Sequence, residues 1–166
     1  MKIIGSIISL SFIVIFLLVF SFPSIGFSEV KTGQKTDFKW ILYGKTMDGV
    51  NYYYNKDIVK VKPNIIRVRE KRGYSKIEKN KIIELRKKDK RSINGWDKLD
   101  HSISLREIDC IKRTNILVGS AYFNDKEEVL SETYYSEVFI RDYMIKKSVI
   151  PDSISEILLK KVCLKK

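Results

Sequence analysis

The chain has 166 residues, with 32 Lys and Arg against 20 Asp and Glu, a formal net charge of +12, one histidine and two cysteines. One imidazole and two distant thiols cannot furnish the roughly four ligands that a zinc centre needs, so a metal site is excluded and no cofactor is expected. So large a positive balance on a chain of this size points its surface towards acidic or polyanionic partners.

Met1 and Lys2 precede an apolar run over 3–20 that is relieved only by Gly5, Ser6, Ser9 and Ser11. The run breaks at Pro23, and Gly26 and Ser28 place small residues ahead of Glu29, which fits a signal peptide over 1–28. A retained anchor is the alternative, since an apolar run of about 18 residues reaches the lower limit for spanning a bilayer. No cysteine stands near the cleavage point, which rules out lipid attachment there. A polar leader over 29–39 then leads into one domain of ordinary length over 40–166. In an oxidising compartment Cys110 and Cys163, the only two, are expected to pair; two free buried thiols are the alternative.

Strand signals begin at 40–45 and 50–55, which flank the hairpin sequence "TMDG". Further strands are expected at 58–62 and 65–72, turned by Pro63-Asn64, and then at 102–113, 115–123, 129–135 and 138–143. Tyr52, Tyr53 and Tyr54 fall in the second of these. Alternation sends Tyr53 to one face and its neighbours to the other, as ordinary sheet packing requires. Between the fourth and fifth strands, "SKIEKNKIIELRKKDK" predicts a short helix with Ile77, Ile82, Ile83 and Leu85 inward. At the C-terminus, Pro151 and Asp152 lead into a capping box in which the Ser153 hydroxyl takes an orphan N–H and Glu156 reaches back. Ile154, Ile157, Leu158 and Val162 then recur at helical spacing, with Lys160 and Lys161 pointing away. The expected fold is α+β: an antiparallel sheet of about six strands carrying a C-terminal helix that the disulfide tethers.

The charge is concentrated. Lys76, Lys79, Lys81, Arg86, Lys87, Lys88, Lys90 and Arg91, with Lys71 and Arg72 just ahead, far outnumber Glu78, Glu84 and Asp89. This segment is either a solvated face that keeps the protein soluble or a docking patch for an acidic protein, an acidic glycan, lipid headgroups or nucleic acid. No aromatic side chain interleaves with the charge over 75–93, and only Tyr74 and Trp96 flank it, so nucleic acid is disfavoured. Catalytic signatures are missing: there is no Gly-rich phosphate loop and no zinc-binding helix, and Gly119-Ser120-Ala121 is not a nucleophile elbow. His101 with Glu107, Asp109 and Arg113 could serve a secreted nuclease. Strand alternation alone, however, puts His101, Glu107 and Asp109 on one face. The chain reads as a non-enzyme.

Several stretches, in order, carry a family resemblance: "VNYYYNKDIV" at 50–59, "LREIDCIKR" around Cys110, "AYFND" at 121–125, and "IPDS" leading into a helix that ends "KKVC". Together they resemble the surface-adhesin protein E family of bacterial envelope proteins, over roughly 40–163. The resemblance implies a sheet of about six strands with a disulfide-tethered C-terminal helix, and Cys110 and Cys163 are the residues it carries over. It implies a non-enzymatic extracytoplasmic protein, in the periplasm or at the outer cell surface, that binds host matrix or serum proteins such as vitronectin and laminin. Two features depart from the family: there is no lipidation cysteine, and Glu128 stands where a turn glycine is usual after "AYFND".

The leading expectation is therefore an adhesin-like binding module that engages an acidic protein or polyanion through its basic segment. A structural envelope component without a discrete ligand, its basic face held by anionic lipid or a cell-wall polymer, is the alternative, and a secreted nuclease ranks third. A membrane enters only through 3–20 if that segment is retained. An open sheet edge is the route to a homodimer.

Overall fold

The structure is a computed structural model and describes residues 38–164. The expected signal segment and all of the leader except its last two residues lie outside them. The described residues form an α+β fold with an antiparallel sheet of eight strands and three helices. The continuous path is β1 (Trp40–Lys45), β2 (Asn51–Asn55), β4 (Ile65–Gly73), β5 (Leu99–Asp109), β6 (Thr114–Asn124) and β7 (Val129–Tyr134). Two short strands lie off it, β3 (Val59–Lys62) on β4 and β8 (Lys147–Ser148) on β6. The helices are α1 (Lys76–Lys88), α2 (Glu137–Tyr143) and α3 (Ile154–Cys163).

Local chemistry explains the turns. In the β1–β2 hairpin, Gly49 N–H donates to the Thr46 carbonyl at 3.0 Å, and Gly49 takes φ +83°, a conformation that favours glycine. Between β5 and β6, the Asp109 carboxylate accepts from the N–H groups of Ile111 (3.1 Å) and Lys112 (2.9 Å). That side-chain turn ends the strand expected over 102–113 and places Cys110 in the loop. After β6, Asn124 Oδ1 accepts from Lys126 and Glu128 N–H, both at 2.9 Å, and Asn124 Nδ2 donates to the Glu128 carboxylate at 2.7 Å. The positive φ falls on Glu127 (+62°), so Glu128 fastens this turn rather than bending it.

One sheet face carries the main core. There α3 packs Leu158, Leu159 and Val162 against Tyr43, Tyr54, Val68 and Ile108, with Val149 beside them. Inward Leu159 takes the place expected of Ile157, which is exposed. The helix lies so close to β1 that a Cβ built on Gly44 would meet Ile154 Cδ1 at 2.9 Å. The Cys110–Cys163 disulfide, with Cα atoms 5.6 Å apart, ties the end of α3 to the β5–β6 turn.

The capping box is present with one change of partner. Ser153 Oγ accepts from Glu156 N–H at 3.2 Å, but Glu156 reaches back to Asp152 N–H at 2.9 Å, one residue ahead of the cap. Glu156 also pairs with Arg113 and, at 3.4 Å, with Lys160. The Asp152 N–H bond, then the Arg113 and Lys160 partners, hold the Glu156 carboxyl below its ordinary value of 4.5. A depressed carboxyl contributes stability that is present above its unfolded value and is lost as pH falls through the folded one. Wild type is therefore expected to melt above Glu156→Gln at pH 6, and the gap in Tm is expected to close as the pH is lowered below 4. A gap that stays constant across that series would show that the carboxylate charge does not stabilise the helix start.

The opposite face is only partly covered. Over 138–143 the expected strand is helix α2, an outcome decided by tertiary packing and a cap. Ser136 Oγ accepts from Phe139 N–H at 3.2 Å, and Tyr135, Phe139 and Tyr143 stack one turn apart with centroids 5.4 and 5.5 Å apart. Ile140 turns inward onto Ile116 and Val118, with Leu105 and Met144 around them. Arg67 joins helix to sheet, 3.0 Å from Glu107 and 2.7 Å from Glu137.

Candidate functional site

Helix α1 is built from local interactions. Ser75 caps it by accepting from Glu78 N–H at 3.3 Å, and Lys81–Glu78 (2.9 Å) and Lys87–Glu84 (2.8 Å) are i,i+3 pairs along its surface. No α1 residue is buried. Ile82 and Ile83 are half-buried, whereas Ile77 and Leu85, expected inward, are 58% and 60% exposed. Successive residues advance about 100° around a helix, so Ile77, Lys81, Glu84, Leu85 and Lys88 share the outer face. The opposite face brings Lys79 to 4.0 Å from Asp100 and stacks the Arg86 guanidinium 3.7 Å above the Trp96 ring.

The eight basic residues of this segment thus divide by role. Arg86 is a packing residue that also donates to the Ser92 carbonyl at 3.0 Å. Lys79, Lys81, Lys87 and Arg91 have acidic neighbours, with Lys81 also 3.6 Å from Asp48 and Arg91 3.3 Å from Asp89. Lys76, Lys88 and Lys90 are exposed and have no acidic partner among the described residues. Lys81, Lys87 and Arg91 are exposed as well, so what distinguishes these three is the lack of an acidic neighbour.

The residues considered for nuclease chemistry do not converge. His101 is 0% exposed, with Nδ1 3.0 Å from Asp100 and its ring stacked on Phe123 at 5.0 Å. Glu107 stands six residues further along β5, roughly 20 Å away, and is paired to Arg67. Asp109 holds the β5–β6 turn and Arg113 the start of α3. Each has a structural task.

A second feature escapes sequence reasoning. On the sheet face opposite α3, at the end away from α2, Trp40, Asn51, Tyr53, Lys71, Asp100 and His101 line a groove of about 470 Å³. The register explains it: Tyr53 stands opposite Lys71, Asn51 opposite Gly73, and Gly73 opposite His101. The alternation that separates Tyr53 from its neighbours was the only signal available. Which residues share its face depends on pairings between strands distant in sequence.

Among the described residues no helix is long and apolar enough to cross a membrane, and no group of three or more His, Cys, Asp or Glu is placed to hold a metal ion. Comparison with known protein families, with curated proteins and with solved structures finds no match for this chain. The disulfide is compatible with an oxidising, extracytoplasmic compartment.

Proposed function

We propose that this chain is a non-enzymatic binding module of the bacterial envelope that docks an acidic protein surface on the outer face of α1. One observation carries the reading: a 13-residue helix has no fully buried residue, leaves Ile77 and Leu85 exposed, and has Lys76, Lys88 and, just past its C-cap, Lys90 exposed without acidic partners among the described residues. Short helices usually persist by burying an apolar stripe, and this one turns Ile77 and Leu85 to solvent. Apolar side chains set among free cations suit a protein patch of acidic rim and apolar centre better than a bare polyanion. The tethered-helix architecture and the family resemblance favour the same kind of role.

The test uses the full-length chain with Lys76, Lys88 and Lys90 all changed to Gln, and immobilised vitronectin as the probe that the resemblance implies. Each exposed cation contributes about 0.5 kcal/mol at most sites, so binding is expected to weaken roughly 10-fold at low salt. The difference is expected to vanish in molar salt. Equal binding by both proteins with the same salt dependence would sink the proposal. Loss of binding to anionic lipid vesicles, with vitronectin unaffected, would reassign α1 to a membrane surface.

A further inference from the structure

We infer that the groove beneath Tyr53 is a saccharide site selective for a sugar bearing a carboxylate. It lies on a different surface from the outer face of α1 and stands on separate observations. Trp40 and Tyr53 supply aromatic rings, and the C–H face of a pyranose packs on such surfaces. Asn51 and Asp100 offer hydrogen-bonding groups for ring hydroxyls, and Asp100 is steadied by His101 Nδ1 at 3.0 Å. Gly73 brings no side chain, and a Cβ there would find nothing nearer than the Asn51 carbonyl at 4.0 Å, so a ligand can approach the backbone closely. The volume, about 470 Å³, suits one or two sugar rings.

Lys71 sets the selectivity. It is half-buried among these groups and has no acidic partner among the described residues, so an anion that enters the groove meets an unpaired cation. Asp100 adjoins His101, whose rung pairs with Gly73, two residues beyond Lys71 and so roughly 7 Å further along β4. The groove therefore has the unpaired Lys71 at one end and, at the other, the Asp100 carboxylate, which Lys79 approaches to 4.0 Å. A uronate matches both ends, with its carboxylate on Lys71 and its hydroxyls on Asp100. A nucleic-acid strand matches less well, because its successive phosphates would have to pass the Asp100 carboxylate.

Tryptophan fluorescence reads this site directly. The chain has two tryptophans, Trp40 in the groove and Trp96, which is buried against Arg86. The full-length chain, kept in a polyoxyethylene detergent that carries no sugar, is titrated with glucuronic acid, with glucose and with a short single-stranded oligonucleotide. Saturable quenching by glucuronate is expected, with affinity at least 10-fold above that for glucose. It should be absent in Trp40→Phe and weakened about 10-fold in Lys71→Gln. Arg69, on the same strand face but stacked over Phe38, serves as the charge control, and Arg69→Gln should bind as wild type. Thermal melts of each variant establish that the fold is kept. Equal affinity for glucose, an equal loss in Arg69→Gln, tighter binding of the oligonucleotide, or no quenching by any probe would each overturn the assignment.

Discussion

Replacing Cys110 and Cys163 together by serine is expected to cost about 4 kcal/mol of unfolding free energy. The figure follows from the loop that the bond closes, whose ends are 53 residues apart, in the chain-entropy account of cross-links. The loss should be felt chiefly at α3. This helix has 10 residues, too few to be stable alone, and it stays in place by burying Leu158, Leu159 and Val162 on the sheet. Undocking would expose Tyr43, Tyr54 and Ile108 to water together. Urea unfolding of oxidised wild type and the double serine variant measures the difference. A variant whose stability lies within 1 kcal/mol of wild type would show that the apolar stripe alone holds the helix. Selective loss of near-UV tyrosine dichroism at low denaturant would locate the damage at the α3 face.

Features written in neighbouring residues were legible before the structure. The hairpin at Thr46–Gly49, the turn at Pro63-Asn64 and the Ser153 cap each depend on a few consecutive side chains, and each is found where the sequence places it. The disulfide and the tethered helix followed from cysteine number and an amphipathic stripe. Helix α2 was not legible, because Val138, Phe139 and Ile140 favour a strand by propensity. What decides for a helix there is the need to cover Ile116 and Val118, which lie on a distant strand. The i,i+4 spacing of Tyr135, Phe139 and Tyr143 was the local hint.

In α1 the error lies in the angle. Ile77 and Leu85 project about 80° apart on a helical wheel, but Ile82 and Ile83 lie on the other side of it, so the four never form one stripe. The structure turns the isoleucine pair, Lys79 and Arg86 towards the body. Of the basic segment read from composition, only Lys76, Lys88 and Lys90 remain exposed without an acidic partner among the described residues. The groove was least legible of all. Its lining comes from β1, β2, β4 and the β4–β5 pairing, and register rather than any motif brings Tyr53, Lys71 and His101 onto one surface.

Glu70→Ala is expected to destabilise the fold by about 3–5 kcal/mol, although the residue removed is an acid in a hydrophobic cluster. Glu70 sits on the α3 face of β4, opposite Tyr54, and is 5% exposed. Its carboxylate accepts from the Tyr43 hydroxyl and from Arg106 Nε, and Arg106 also lies 3.4 Å from Asn115 Oδ1. Burial first, and then the Glu70 charge, push the Tyr43 phenol far above its ordinary range, so it remains a neutral donor at any physiological pH. Deleting the carboxylate would leave a guanidinium and a buried hydroxyl without their acceptor, which is costlier than losing the attraction itself. Replacing both ends of the ion pair, in Glu70→Leu with Arg106→Met, should therefore lie closer to wild type than Glu70→Ala does. Chemical denaturation of the single and paired variants decides it. If the paired variant is as unstable as the sum of the singles, the charges are not compensating one another, and Glu70 acts through packing alone.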